Sequence, residues 1–278
     1  MPRHKQAARH GERPQDPRWA RLWSLRVPLA LIALVLTAAG VGGGVLLAGP
    51  GATQPEPRNK TAAIVDQLSL TYPNPGFASE ATSILNEGGY EVDYFPGEQV
   101  TVDFYRQLPG RGYDLVILRV HAGITTEVDT LSGAKTEREY VSLFTGEPYR
   151  ENKYAEEQVN RLGKGVYYEG ADPLFAIGPD FVRESMKGQF DDTLIVMMGC
   201  DGLRSQLTAE AFLEKGARAF VSWSQPVSST HTDAATTHLL ELLFIKDIET
   251  RQAVALTAKQ VGPDPTYGAE FRVLEAEN

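Results

Sequence analysis

The chain has 278 residues, 42% hydrophobic and 9% aromatic, enough apolar material for one domain with a sizeable core. Its formal net charge of −9 is unevenly spread: residues 1–26 hold seven Lys or Arg against Glu12 and Asp16, residues 27–47 hold no charge, and the remainder holds 20 basic and 34 acidic residues. An acidic main body argues against nucleic acid or an anionic membrane surface as its principal partner.

Residues 27–48 form an apolar run long enough to cross a bilayer as a helix, which needs about 20 residues. The basic flank precedes it, so the positive-inside rule puts the N-terminus in the cytoplasm and the large domain outside the cell membrane. Trp19 and Trp23 stand where an interfacial aromatic belt would place them. A cleaved signal peptide is the rival reading, with small residues at Ala48 and Gly49 near a possible cut. The long charged tail and full-length apolar run favour an uncleaved anchor. Residues 49–60 are a Pro/Gly-rich linker, so the folded domain should begin near Thr61.

The domain opens with a predicted strand over 62–68 and a turn at 72–76. A helix over 77–87 follows, with Phe77, Ala81, Ile84 and Leu85 at helical spacing and Gly88-Gly89 as its stop. A strand over 90–95, a short helix over 101–108 and a strand over 115–121 complete a β-α-β-α-β alternation. That rhythm predicts an α/β fold, a mostly parallel central sheet with helices on both faces. Residues 124–192 interrupt it. There the pattern predicts a hairpin turning near Thr145-Gly146, an amphipathic helix over 154–162 and a helix over 180–187, an insertion placed to shape or lid a neighbouring crevice. The rhythm then resumes with a strand over 193–198, a helix over 208–215 and a strand over 218–223. Helices over 233–246 and 249–259 and an edge strand over 271–274 close the domain.

Two of these strands carry chemistry at their ends. Leu115-Val116-Ile117-Leu118-Arg119-Val120 runs into His121, and Thr193-Leu194-Ile195-Val196-Met197-Met198-Gly199 runs into Cys200. Short continuous apolar runs of this kind read as buried parallel strands, and α/β sheets place their sites outside the carboxyl ends of such strands. If the two strands are neighbours, thiol and imidazole share one crevice. There the imidazole can activate the sulfur and shuttle its proton. Cys200 is the only cysteine, which rules out an intrachain disulfide, and an unpaired thiol in an exported domain asks for a reason. The domain's other histidines are His238, on the apolar run of a helix and so structural, and His231, in a loop near an N-cap and an alternative base. Asp201, with Glu127 and Asp129 in the insertion, is a candidate handle for a basic substrate side chain; the plain alternative for Asp201-Gly202 is a turn. The chain has no Cys/His cluster for zinc, no glycine-rich phosphate loop and no Gly-x-Ser-x-Gly elbow, so no metal or cofactor is expected.

An apolar strand ending in His with a Gly close by, then an apolar strand ending in small-Cys, resembles the caspase-like cysteine peptidases of clan CD, the superfamily of caspases, gingipains, separases and CHAT domains. Residues 209–223 resemble the helix and strand that follow the nucleophile in CHAT-type members. The resemblance spans about residues 61–260 and is sharpest at the two strand ends. Ala122 intervenes between His121 and Gly123, and Met198-Gly199 stand where many members have an acidic residue or Gln and then Ala. The resemblance implies a three-layer α/β/α sandwich and an endopeptidase acting on protein or peptide substrates, with Cys200 as nucleophile and His121 as general base and acid. It also implies an oxyanion hole from the amides of Cys200 and Gly123, for which the Ala122 amide is the alternative. Two other functions remain open on the sequence: a catalytically inactive binding or scaffold module of the same fold, and a ligand-sensing extracytoplasmic α/β domain.

Overall fold

The computed structural model describes residues 59–129 and 136–277, all within the larger of the two units into which the chain divides, residues 56–278. The tail over 1–26, the apolar span over 27–48 and most of the linker over 49–60 lie outside the described residues. Among the described residues no helix is long and apolar enough to cross a membrane.

The first half of the domain follows the predicted rhythm: β1 (Lys60–Asp66), α1 (Pro75–Glu87), β2 (Tyr90–Pro96), α2 (Val102–Gln107) and β3 (Leu115–Arg119). Local chemistry explains the boundaries. The Asn74 side chain accepts from the Phe77 N–H at 3.1 Å and Pro75 sits at the first turn, so α1 starts there. Thr101 caps α2 in the same way through Phe104. Gly89, at φ 82°, lets the chain leave α1 in the left-handed region. β3 ends at Arg119, two residues short of the histidine.

The interruption is a second sheet rather than a hairpin with helices. It comprises β4 (Ala122–Asp129), β5 (Thr136–Pro148), β6 (Leu162–Gly165) and β7 (Leu174–Ile177), all antiparallel in the order β4-β5-β7-β6. Thr145-Gly146, expected as a turn, lies inside β5 at a register irregularity between Phe144 and Pro148. There the Gly146 N–H donates to the Val100 carbonyl at 2.7 Å, and a side chain on residue 146 would collide with the Gly97 carbonyl oxygen. Glycine is therefore required by close backbone approach, not by a turn. The helix expected over 154–162 is a single 3₁₀ turn at Glu157–Val159, because Leu162 is claimed by the ladder opposite Ile177. The helix expected over 180–187 shrinks to one π-type turn, Phe181–Ser185, with Phe181 and Val182 buried in the core.

The closing half restores the alternation with β8 (Thr193–Met197), α3 (Leu207–Glu214), β9 (Ala217–Trp223), α4 (Ser229–Leu240), α5 (Thr250–Val261) and β10 (Phe271–Glu275). α4 begins four residues earlier than its apolar pattern suggests and passes into a π-type turn over Glu241–Ile245. The main sheet runs β2-β1-β3-β8-β9-β10, parallel except for the antiparallel edge β10.

Both faces of that sheet are buried at the central strands β3 and β8, which is why those two read as nearly continuous apolar runs. Val116, Leu118, Ile195 and Met197 face one core together with Phe104, Phe212 and the second-sheet residues Leu143 and Ile177. Leu115, Ile117, Leu194 and Val196 face the other, with Leu85 of α1, Leu239 of α4 and Val254 of α5. Chain direction across the sheet reverses at β1, with β2 on one side of it and β3, β8 and β9 following on the other. A crevice therefore opens beyond the carboxyl ends of β1 and β3.

Candidate active site

His121 and Cys200 do come together. β3 and β8 are adjacent and parallel, with Leu115 opposite Leu194 and Leu118 opposite Met197, so both strands end at one level. The two residues line a single crevice of about 300 Å³. Leu68 and Tyr72 reach it from the segment after β1, Val227 and Ser228 from the segment after β9, Ser229 and Thr232 from α4, and Tyr267 from the loop before β10.

Close packing beneath the thiol fixes its position. A side chain on Gly199 would collide with the Val120 carbonyl oxygen and come within 2.9 Å of the Met197 methyl. The two strand ends can lie this near only because residue 199 is glycine. A Gly199→Ala variant should lose about 1–3 kcal/mol, the usual penalty of overpacking, with slower alkylation of Cys200. Denaturant titration with thiol labelling reads both, and a fully stable variant would show that the strand ends tolerate separation.

The imidazole is held from several sides. Its backbone N–H donates to Gln67 Oε1 at 2.8 Å, and Gln67 Nε2 donates to the Tyr167 hydroxyl at 2.5 Å. Its ring lies 4.4 Å from that of Tyr167 and 5.8 Å from that of Tyr72. Nε2 is 2.8 Å from Thr71 Oγ1. Tyr167 belongs to the segment after β6, so the insertion backs the histidine from behind. None of its described residues is among those lining the crevice.

Burial, helped by the positive charge of Arg119, holds the His121 pKa down at about 4. Burial likewise pushes the Cys200 thiol above its ordinary value, and the carboxylates of Asp201 and Asp264 act the same way. Cys200 Sγ donates only a long contact, 3.7 Å, to the Val227 carbonyl. At neutral pH the crevice thus holds a thiol and a neutral imidazole, not an ion pair.

The ladder of the second sheet bears on the oxyanion donors. The Phe144 N–H donates to the His121 carbonyl, which makes 121 and 144 a hydrogen-bonded pair. Antiparallel pairs alternate, so Gly123 and Ser142 form the next such pair and the Gly123 N–H turns toward β5. Ala122, opposite Leu143, is a non-hydrogen-bonded position on the edge strand, and its N–H turns outward. Of the Gly123 and Ala122 amides, that of Ala122 is the one the β4–β5 ladder does not use.

The remaining candidates lie elsewhere. Asp201 adopts a left-handed conformation (φ 61°), its N–H donates to the Gln225 carbonyl, and its buried carboxylate is 3.7 Å from Arg204. It does not line the crevice. Glu127 accepts from the Tyr140 hydroxyl, and the side chain of Asp129 falls outside the described residues. His231 Nε2 is 3.1 Å from the Gly262 carbonyl, and its ring lies 5.2 Å from that of Trp223. His238 faces a separate polar depression with Glu80 and Glu241.

A buried charge network was legible only as one odd residue, Arg119, inside an apolar run. It is 1% exposed. Its Nε and Nη2 donate to the two Asp233 oxygens at 2.8 and 2.9 Å, Nη1 donates to Asp66 at 2.8 Å, and Nη2 also donates to the Tyr72 carbonyl at 3.0 Å. Asp66 ends β1 and Asp233 lies on α4, so Arg119 ties together two elements that wall the crevice, and through Tyr72 the loop that carries Thr71. Comparison with protein-family models and with curated proteins finds no match for this chain.

Proposed function

We propose that the chain is a caspase-like cysteine endopeptidase with the three-layer sandwich of that superfamily. The apolar run over 27–48 anchors it in the cell membrane, and its domain acts on protein or peptide substrates outside the cytoplasm. The observation that carries the chemistry is the delivery of Cys200 and His121 into one crevice by the adjacent ends of β3 and β8. The anchor and its orientation rest on the sequence.

In this reading His121 is a general base, since it is neutral at working pH. When the Thr71 hydroxyl proton is directed to the Leu68 carbonyl (3.5 Å), Nε2–H donates to Thr71 and Nδ1 is the bare nitrogen. The imidazole takes the Sγ proton as sulfur bonds to the scissile carbonyl carbon and the carbonyl electron pair moves to oxygen. In this reading the Ala122 and Cys200 amides stabilise that oxyanion, each worth about 3–4 kcal/mol of barrier. Collapse breaks the C–N bond, the amine leaves with the proton from His121, and water then resolves the thioester by the reverse shuttle.

A specific pH profile follows. His121 stops being a base only as pH falls through about 4, so kcat/KM for a peptide should hold from neutral pH down to that value before it declines. An acid limb near 6.5, the ordinary imidazole value, would place the base outside this buried position. The direct test of the proposal is turnover of peptide amides by the full chain, checked for dependence on Cys200 and His121.

One observation favours the second reading, a binding module without activity: the thiol is hydrogen-bonded to the Val227 carbonyl and the imidazole to Thr71, not to each other. That module would bind a peptide and leave it uncut. It would also react no faster with a peptidyl chloromethyl ketone than with iodoacetamide.

A further inference from the structure

We propose that the crevice selects peptides carrying an uncharged, apolar side chain at the residue whose carbonyl is attacked. This rests on the peptidase reading above and names its substrate class. The walls are Leu68, Tyr72, Val120, Met198, Val227 and Tyr267, completed by Gly199 and the hydroxyls of Ser228, Ser229 and Thr232. Among these described lining residues none is Asp, Glu, Lys or Arg.

The charged groups nearby are engaged or held away. Asp201, the handle expected from the sequence, lies 3.7 Å from Arg204, keeps Oδ1 without a hydrogen-bond partner, and is held off the crevice lining. Asp66 and Asp233 are bound by Arg119. Asp264 accepts from the Ser228 N–H and hydroxyl and from the amides of Thr266 and Tyr267. A lysine or arginine side chain entering the crevice would give up its hydration and find no free carboxylate.

An acidic side chain fares no better. Arg119 spends Nε, Nη1 and Nη2 on Asp66, Asp233 and Tyr72. The N-terminus of α4, the other electropositive feature, already has the Asp264 carboxylate on its Ser228 cap.

Positive design points the same way. Tyr72 and Tyr267 remain 57% and 51% exposed at the mouth, and they come from loops about 195 positions apart in sequence. Leu68, Val120 and Met198 form a buried apolar floor. An aliphatic or thioether side chain would cover these surfaces, and the crevice volume of about 300 Å³ suits one medium-sized group.

The test is a panel of fluorogenic peptide amides on the full chain, identical except for Leu, Met, Ala, Arg or Asp at the attacked residue. Leu and Met peptides should exceed Arg and Asp peptides in kcat/KM by on the order of a hundredfold. Fastest turnover with Arg or Asp, still dependent on Cys200, would overturn this inference and leave the peptidase standing. No Cys200-dependent turnover of any peptide would overturn both. A Ser229→Asp variant adds an independent check; Asp264 already occupies the Ser228 cap beside it, so its folding is confirmed first by a cooperative denaturant transition. It should raise the Arg-to-Leu ratio of kcat/KM by about tenfold or more, the scale of one buried charge-assisted bond. An unchanged ratio would place the bound side chain away from this wall and overturn the assignment.

Discussion

Peptide hydrolysis by a Cys200→Ala chain is expected to fall by on the order of a millionfold, to background, because the thiol that forms the acyl intermediate is gone. A His121→Ala chain should fall almost as far. The informative result is the double variant, which should be scarcely slower than either single one, since nucleophile and base act as a unit. Additive losses would mean that the two residues contribute independently and that the shuttle is wrong. Because Cys200 is the sole cysteine, one alkyl adduct on the intact protein reports that one site. With iodoacetamide the wild-type thiol should react slowly at neutral pH and accelerate only above the ordinary thiol range. Fast reaction at pH 6 would contradict the neutral resting pair.

The second large effect is structural. Replacing Arg119 with Met would leave Asp66 and Asp233 buried without their cation, and breaking one partner of a buried network costs about 3–5 kcal/mol. That is a large share of a domain's total of about 5–15 kcal/mol. Removing the charges together should cost far less. A chain carrying Arg119→Met, Asp66→Asn and Asp233→Asn keeps amide oxygens for the donors Tyr94 and Asn74 while burying no charge. Denaturant midpoints should therefore rank wild type and the triple variant well above Arg119→Met alone. If the single variant unfolds no more easily than wild type, the network does not hold these walls. Arg119→Lys should fall between, since an ammonium cannot reproduce the fork to Asp233.

Much of the framework was readable from residue order. The runs at 115–118 and 194–198 are apolar throughout because each side chain faces one of two cores, and that doubling signals a parallel strand without any structural information. Caps and stops such as Asn74 and Gly88-Gly89 carry their own local chemistry. The insertion was opaque for the opposite reason. β4 and β6 are short or polar strands whose identity depends on partners distant in sequence, and Thr145-Gly146 looks like a turn because the reason for its glycine lies about 50 residues away, at Gly97. At the site, the two reactive residues were legible from strand ends. Thr71, Gln67, Tyr167 and Tyr267 were not, since each acts from a loop whose path only the folded sheet defines. Asp201 misled because adjacency in sequence to a nucleophile does not aim a side chain: its left-handed backbone turns it to Arg204 instead.

The crevice draws its walls from Leu68, just after the first strand, and from Tyr267, just before the last, with every other contribution in between. No contiguous fragment shorter than residues 68–267 contains it. During synthesis the thiol emerges long before the tyrosine that completes its surroundings, so a nascent or truncated chain carries a cysteine but no binding surface. The order of the strands alone thus delays assembly of the crevice until nearly the whole domain has been made.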